Sequence, residues 1–415
     1  MTSKTFRPSQ AKWFIFIFQL LSLPLIFFIN TEALGERMLF FLAGLILLTL
    51  ISNIIIERGR LGDKYLLLIA NMLVNIALIM IYRLEPYYGE RQLIFYGLGL
   101  IVFFSVYFFL RWTGNFFSKL TYFYYIVTVL LLAVTLIFGI TYAGATNWLM
   151  IGGFQFQPAE LAKLSFVFFL AAYYAGDHPF KEHRYSAYIL MGLVYFLIGL
   201  FFLQGELGTA AVFMGVFLSV QLVFEKKKLP LILNILLAFI GLYLGYKLFS
   251  HVRVRFEIWL DPWADIDGRG YQIAQSLFAV AAGGLFGKGI GLGRPTTIPL
   301  SFSDFIYPAI IEEMGIFMGI AILFLYLILF YRGLKIAMKQ SNYFYRVVSL
   351  AVSMLFASQA FIVIGGVLKL IPMTGITLPF MAYGGSSMLV SFILLGVLQY
   401  TSDYLGYQEV EDEKL

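Results

Sequence analysis

Long runs of apolar residues are the feature that most limits how this chain can fold. A helix needs about 20 residues to cross a hydrocarbon core of about 30 Å, and runs of that length recur along the whole sequence. Of the 415 residues, 61% are hydrophobic and only 13% are charged, which is far more apolar than an ordinary soluble domain. Because backbone groups inside a bilayer must bond to one another, and a helix achieves this within each segment, the sequence predicts an all-α polytopic membrane protein.

The apolar runs predict about twelve transmembrane helices. Their approximate positions are residues 13–30, 38–56, 65–83, 92–110, 119–141, 158–175, 185–203, 207–224, 230–249, 305–331, 346–368 and 386–404. The connection between the ninth and tenth, residues 250–304, is the only long one. We expect it to be a structured extracytoplasmic loop, since long loops in compact proteins are usually functional or disordered and this one contains an apolar, glycine-punctuated stretch typical of a re-entrant helix.

The distribution of positive charge predicts how the chain is oriented. Lysine and arginine are concentrated in alternate connections, which the positive-inside rule assigns to the cytoplasm: Arg58, Arg60, Lys64, Lys226, Lys227, Lys228, Arg332, Lys335, Lys339 and Arg346. Both termini, including the acidic tail at 406–415, are then cytoplasmic. The net charge of +6 reflects these loops and contact with anionic lipid, not nucleic acid. The absence of cysteine excludes disulfides and thiol chemistry.

Acidic residues are concentrated in the predicted outer loop. Asp261, Asp265 and Asp267 fall within seven positions, and Trp259 and Trp263 flank the first of them. Tryptophans of this kind anchor a segment at a membrane interface, where an acid can serve a substrate whose other half lies in lipid. A solvated turn is the alternative, and the residues alone leave both interpretations open.

Ionisable residues also lie inside or beside the predicted spans. Glu160 and Lys163 are three apart on one helix face, and we predict that they pair, because unpaired charges in a bilayer are costly. The pair either stabilises helix packing or lines a substrate cavity. Glu206 has the same two interpretations, as do the acids before and within the tenth span. There Asp304 is also in place to cap the helix, and Glu312 is a secondary candidate for the site.

The last outer connection ends in small residues that begin a helix. Gly385, Ser386 and Ser387 follow a proline-rich stretch, so the free N–H groups of the new helix form a candidate anion site. Small residues at such a position equally permit close helix packing. Lys369 and Arg91 add positive charge on the same predicted side of the membrane.

These groups together suit transfer chemistry at the outer face. A hydroxyl nucleophile needs a base near its proton, and a departing diphosphate needs fixed positive charge or amide donors. Acids near a diphosphate also favour recruitment of a divalent cation, Mg²⁺ or Mn²⁺, and the sequence leaves the metal ligands unknown.

Five segments resemble motifs of the SEDS family (shape, elongation, division and sporulation), which includes RodA and FtsW. They are, in the family's order, "QPAELAK", "QGELGT", "DIDGRGYQ", "SDFIYPAIIEEMG" and "PMTGITLPFMAYGGSS". The resemblance covers about residues 65–405. It implies a ten-helix glycosyltransferase core at 63–405, preceded at 1–62 by a cytoplasmic segment and two additional transmembrane helices, in the bacterial cytoplasmic membrane.

The resemblance implies a peptidoglycan glycosyltransferase that polymerises lipid II and works with a class B penicillin-binding protein. Asp265 matches the family's essential acid, whereas Asp261 lies where the family varies, and Arg91 looks like the arginine that faces the lipid diphosphate. The chain departs from the pattern at Arg269, where the family has alanine or serine, and at Lys369, where it has a small residue.

The implied mechanism is inverting. Asp265 takes the proton of the acceptor hydroxyl, undecaprenyl diphosphate leaves, and the surrounding polar groups bind substrate: Arg91, Glu160, Lys163, Lys369, Gly385, Ser386 and Ser387. A lipid-linked precursor flippase or transporter would also contain intramembrane charges and broken helices. A polyprenyl-diphosphate-sugar transferase of O-antigen-ligase type would share the topology with another sugar, and a structural scaffold for a cell-wall synthase is a third alternative.

Overall fold

The computed structural model describes residues 8–29, 36–142, 144–176, 178–179 and 183–412. The described residues are mostly helical, as predicted. Of the predicted acidic tail, residues 413–415 lie outside the described residues, and the preceding seven continue the last helix.

Fourteen helices and three short strands make up the described chain. The helices are α1 Pro8–Ile29, α2 Glu36–Gly59, α3 Lys64–Leu84, α4 Pro86–Thr113, α5 Thr121–Phe138, α6 Pro158–Ala175, α7 Ser186–Gln204, α8 Leu207–Phe224, α9 Lys228–Leu248, α10 Ser250–Leu260, α11 Tyr271–Gly283, α12 Ile306–Lys339, α13 Tyr343–Val367 and α14 Gly385–Asp412. The strands are β1 Ile140–Tyr142, β2 Ala145–Ile151 and β3 Phe154–Phe156.

Ten of the twelve predicted spans coincide with helices that are long and apolar enough to cross a membrane within the described residues. The other two are α1, whose qualifying stretch is shorter, and α6. Helix α6 contains Glu160 and Lys163, which make it less apolar than its neighbours. The protein is therefore an all-α polytopic membrane protein with ten clear spans, and the count of twelve is not confirmed.

A small antiparallel sheet, in the order β1, β2, β3, follows α5 and was not predicted. The predicted fifth span ran to residue 141, but α5 ends at Gly139, whose N–H donates to the Thr135 carbonyl at 2.9 Å. The next residues are rich in threonine, isoleucine and aromatic side chains, which favour strands. Hydropathy does not distinguish the start of the sheet from the end of a span, because isoleucine and aromatic side chains are apolar in both.

The chain divides into two compact units, each with its own core. Unit 1 comprises residues 1–107, 272–329 and 377–415, and unit 2 comprises 108–271 and 330–376. In unit 1 the most buried helix is α3, with 83% of its apolar window inside the protein. In unit 2 the long helix α13 has 72% of its apolar window buried, and it packs against α6 and α8.

Buried polar contacts join the first two helices to the core of unit 1. The Gln19 side-chain amide donates to Asn75 Oδ1 at 2.7 Å, and Asn75 Nδ2 donates to Thr49 Oγ1 at 3.0 Å. These atoms lie on α1, α3 and α2. Because lipid offers no hydrogen-bond partners, contacts of this kind define how helices associate.

The predicted long outer connection is largely helical. It contains α10, a 3₁₀ turn at Pro262–Asp265 and α11, followed by turns up to the start of α12. Helix α11 covers the first part of the glycine-punctuated stretch, and its insertion as a re-entrant helix remains a prediction.

Candidate active site

The turn after α10 positions the acid predicted to be catalytic. Helix α10 ends at Leu260, and Pro262 begins the 3₁₀ turn, for which its restricted backbone is suited. Asp261 Oδ1 accepts the N–H of Trp263 at 3.1 Å. Asp261 therefore caps the turn, whereas Asp265, at the end of the same turn, projects a side chain that is 45% exposed.

Asp265 belongs to a chain of three charged residues. Its Oδ2 accepts both the backbone N–H of Arg269, at 3.2 Å, and the Nε–H of the same residue, at 3.1 Å. The guanidinium also donates from Nη1 to Glu257 Oε2 at 3.1 Å. The hydrogen bonds from Arg269 hold the pKa of the Asp265 carboxyl below its ordinary value, so Asp265 is a carboxylate at neutral pH.

A cavity of about 350 Å³ lies beside this group, and its polar lining consists of Glu257, Asp261, Asp265 and Arg269. Gly268 borders the carboxylate, and a Cβ there would overlap Asp265 Oδ1. The carboxylate therefore occupies the space that a side chain at position 268 would need. The motif "DIDGRGYQ" thus encodes a turn that accommodates a partly exposed carboxylate.

The predicted pair on α6 is present and buried. Lys163 Nζ lies 2.8 Å from Glu160, and the two side chains are only 4% and 7% exposed. Lys163 also donates to Gln359 Oε1 of α13 at 3.1 Å. Sequence reasoning missed Gln359, which carries no local signal because it lies 196 residues away. The contacts favour the packing interpretation within unit 2.

Glu206 precedes α8 in the same unit. Its Oε1 accepts from Gln157 Nε2 at 2.8 Å and from Thr209 Oγ1 at 2.6 Å, while its Oε2 is buried without a hydrogen-bond partner among the described residues. Burial raises the pKa of the Glu206 carboxyl to about 7. Gln157 and Thr209 were also missed, although both lie inside the motifs quoted above.

Lys369 follows α13 in an unusual backbone conformation. Its φ is 60°, in the left-handed region that glycine favours and a lysine rarely adopts. Trp259 Nε1 donates to its carbonyl at 3.2 Å, and Arg255 Nη1 donates to the Thr374 carbonyl at 2.7 Å. Helix α10 is thereby fixed to the segment 369–374, and the Lys369 ammonium forms no ion pair with any residue that the structure describes.

The remaining substrate-binding candidates lie in unit 1. Arg91 donates to the Tyr87 hydroxyl at 3.2 Å and stands over its ring. At the start of α14, Ser387 Oγ lies 2.7 Å from Thr377 Oγ1. A Cβ on Gly385 would press into the ring of Phe95, so close packing accounts for the glycine there. Ser386 is partly exposed at the same helix start.

Glu312, a secondary candidate acid, lies in unit 1 close to a break in α12. Gly315 has φ 84° and interrupts the helix. Glu312 Oε1 accepts from Lys288 Nζ at 3.0 Å and from the Arg294 N–H at 2.9 Å, and Asp304 accepts from the Ser303 hydroxyl at 3.2 Å. Discontinuous helices often border substrate sites in membrane proteins. The Glu312 contacts, however, connect α12 to the segment 288–294 and are structural.

Arg83 contacts Glu313, the neighbour of Glu312 in α12. Its guanidinium lies 2.8 Å from Glu313 Oε1, and the Glu313 side chain is completely buried. The Gly291 N–H donates to Glu313 Oε2 at 2.9 Å. Within the described residues, acids thus engage Arg83 and Lys288, whereas Arg91 and Lys369, the cations predicted at the outer face, form no ion pair.

The residues do not fit a bound divalent cation. Within the described ranges there is no group of three or more acidic or histidine side chains that could hold a metal. Asp265 Oδ2 is occupied by Arg269, and Mg²⁺ demands near-octahedral oxygen coordination.

The fold and these polar groups define an integral membrane protein with a partly exposed, ionised carboxylate in a helical turn. The family of cell cycle proteins named for FtsW, RodA and SpoVE matches residues 63–406, and the chain belongs to this family. The peptidoglycan glycosyltransferase RodA of Mycobacterium tuberculosis is 34% identical over 384 residues, covering 86% of this chain and 81% of RodA.

Two further relatives agree with this membership. Stage V sporulation protein E of Bacillus subtilis is 34% identical over 363 residues, covering 83% of this chain and 98% of that protein. Among solved structures, a chain of a peptidoglycan synthase complex that coordinates polymerization and crosslinking has a TM-score of 0.69 at 26% identity. The match covers 83% of this chain and 98% of that one.

Proposed function

We propose that this chain polymerises lipid II into glycan strands and that Asp265 is the general base. Its relative RodA of Mycobacterium tuberculosis is named a peptidoglycan glycosyltransferase, and this chain is an enzyme of the same class. The observation that carries the assignment of the base is the ionised, partly exposed Asp265 carboxylate, which lines a cavity and has one oxygen that accepts no hydrogen bond from the described residues.

The acceptor's 4-hydroxyl gives its proton to Asp265 as its oxygen attacks the anomeric carbon of the donor. The new glycosidic bond forms while the bond to undecaprenyl diphosphate breaks, and the diphosphate leaves from the opposite face. This single displacement converts an α-linked donor into a β-linked glycan. One base is sufficient, because the diphosphate is already a good leaving group once its charge is neutralised.

Positive charge for the diphosphate is assigned to Arg91 and Lys369. The helix start at Gly385, Ser386 and Ser387 would add amide donors. Glu160 and Lys163 contribute by stabilising the packing of α6 against α13. Asp261, Asp304 and Glu312 are secondary candidates, since each already accepts hydrogen bonds within its own unit.

We also propose that the protein lies in the bacterial cytoplasmic membrane with both termini cytoplasmic. The lysine and arginine content of alternate connections supports this orientation. A class B penicillin-binding protein is proposed as the partner that cross-links the product. The likeness to a chain from a synthase complex that combines polymerization with crosslinking supports this pairing.

Glycan-strand formation from purified lipid II tests the proposal. The purified protein is assayed in detergent with and without a class B penicillin-binding protein, as wild type, Asp265→Asn and Asp267→Asn. Removing the base is expected to lower the rate by about 10²- to 10⁴-fold. Asp267→Asn is the matched control, because it removes an exposed acid two residues away in the same turn. Equal polymer from wild type and Asp265→Asn would exclude Asp265 as the base.

A further inference from the structure

We propose that Arg269 is a positioning residue for the transfer reaction, holding one oxygen of Asp265 so that the other faces the acceptor hydroxyl. The inference rests on the proposed role of Asp265 as base.

The two oxygens of the Asp265 carboxylate have different contacts. Both donors of Arg269, the backbone N–H and Nε–H, reach Asp265 Oδ2, at 3.2 and 3.1 Å. Two donors on one oxygen restrict rotation of the carboxylate about its Cβ–Cγ bond. Oδ1 lies against Gly268, where a side chain would displace it, and accepts no hydrogen bond from the described residues. It is therefore the oxygen that remains to accept from the acceptor hydroxyl.

Glu257 fixes the arginine from the other side. It lies on α10 and accepts from Arg269 Nη1 at 3.1 Å, so the guanidinium bridges the helix and the turn. The other charged groups nearby are Asp261, whose carboxylate accepts from Trp263, and the exposed Asp267. Among the described residues that line the cavity, Arg269 is the one cation beside three acids, so its removal would leave Asp265 among like charges.

Stability alone does not account for this arrangement. The Arg269 and Asp265 side chains are 57% and 45% exposed, and ion pairs with this exposure contribute little to folding. The reaction rate depends far more strongly on where a reacting group is placed, since a misplacement of about 1 Å can lower the rate about 100-fold. The contacts are better explained by orientation of the carboxylate.

The test compares Arg269→Ala, Arg269→Lys and the control Arg253→Gln in the lipid II polymerisation assay across pH. Arg253 is an exposed arginine of α10 that donates to the Lys247 carbonyl, so its replacement removes the same charge without touching Asp265. For Arg269→Ala we expect kcat to fall about tenfold or more, with KM for lipid II nearly unchanged. The acid limb of the pH profile should move to higher pH, because loss of the guanidinium raises the pKa of Asp265.

Arg269→Lys restores a cation but cannot bridge Glu257 and Asp265 in the same way. We expect it to return the acid limb toward the wild-type position while recovering only part of kcat. Melting temperatures of all variants establish that each is folded. Inactivity of Asp265→Asn together with an unshifted pH profile and normal kcat for Arg269→Ala would overturn the role of Arg269 alone. Polymerisation by Asp265→Asn would overturn the base and this inference together.

Discussion

Two charged pairs in unit 2 have similar spacing in sequence and different surroundings. Glu160 and Lys163 lie three apart on α6, and their side chains are less than one-tenth exposed. Asp265 and Arg269 lie four apart in a turn, and about half of each side chain is exposed. The first pair is completed by Gln359 of another helix, whereas the second leaves a partly exposed carboxylate beside a cavity.

The difference shows that burial determines whether a charged pair stabilises the fold or remains available to a substrate. A buried ion must keep its partner, because desolvation is costly and is offset only by good pairing. An exposed pair is screened by water and contributes little to stability, so its members remain available to a substrate. We therefore expect changes in the buried region to lower stability and changes in the exposed turn to lower activity, and four substitutions test this separation.

The largest effect on stability is expected for Lys163→Met. It leaves the buried Glu160 carboxylate without its cation, which typically costs about 3–5 kcal/mol. Unfolding of the detergent-solubilised protein by heat measures the loss. The double variant Glu160→Leu with Lys163→Met is the control, since it removes both charges and should recover much of the stability. A single variant as stable as wild type would mean that the pair does not stabilise the core.

Glu206→Gln is expected to remove a pH dependence of stability. Because burial raises the folded-state pKa of Glu206 from 4.5 to about 7, the folded protein holds this proton more tightly than the unfolded chain. The free energy of unfolding therefore falls as pH rises through that interval, by up to about 3 kcal/mol. Glutamine keeps the acceptor oxygen used by Gln157 and Thr209 without the charge.

Melting temperatures of Glu206→Gln and wild type between pH 5 and pH 8 provide the measurement. The two proteins should coincide at pH 5, and the variant should be the more stable at pH 8. Parallel curves across the whole range would show that Glu206 stays ionised in the fold.

Lys369→Gly is expected to raise stability by about 1 kcal/mol, because glycine adopts the left-handed conformation without the steric cost of a Cβ. The carbonyl that accepts from Trp259 is retained. If the lysine binds the diphosphate, the same variant should polymerise lipid II more slowly. Lys369→Asn, which tolerates this conformation, separates loss of charge from relief of strain. A destabilised glycine variant would contradict the account of strain.

The smallest effect on stability is expected for Asp265→Asn. Its melting temperature should match that of wild type even though polymerisation is lost, because asparagine keeps an oxygen for Arg269 and the exposed pair is weak. A clear fall in melting temperature would show that the Asp265–Arg269 pair stabilises the fold as the buried Glu160–Lys163 pair does. The contrast between the two pairs would then be wrong.

Much of the fold was predictable because lipid imposes a simple rule on sequence. Ten of the predicted spans are present, and helical spacing alone predicted the Glu160–Lys163 pair. The sheet after α5 was missed, since hydropathy treats β-branched and aromatic residues alike in strands and spans. The three-residue chain at Asp265 was also missed, because spacing within a turn does not determine where a side chain points.

By itself, the sequence determined the class of protein and its family, since apolar run length and motif order are local properties. The choice of Asp265 as the base stays a prediction, because it depends on the resemblance of one motif. Only the tertiary structure decided which charges are already engaged. Lys163 meets Gln359 from far along the chain, and Lys288 and Arg83 are bound by Glu312 and Glu313. Pairing between distant segments depends on which helices pack together, and burial, which sets the energetic importance of each charge, exists only once they have packed.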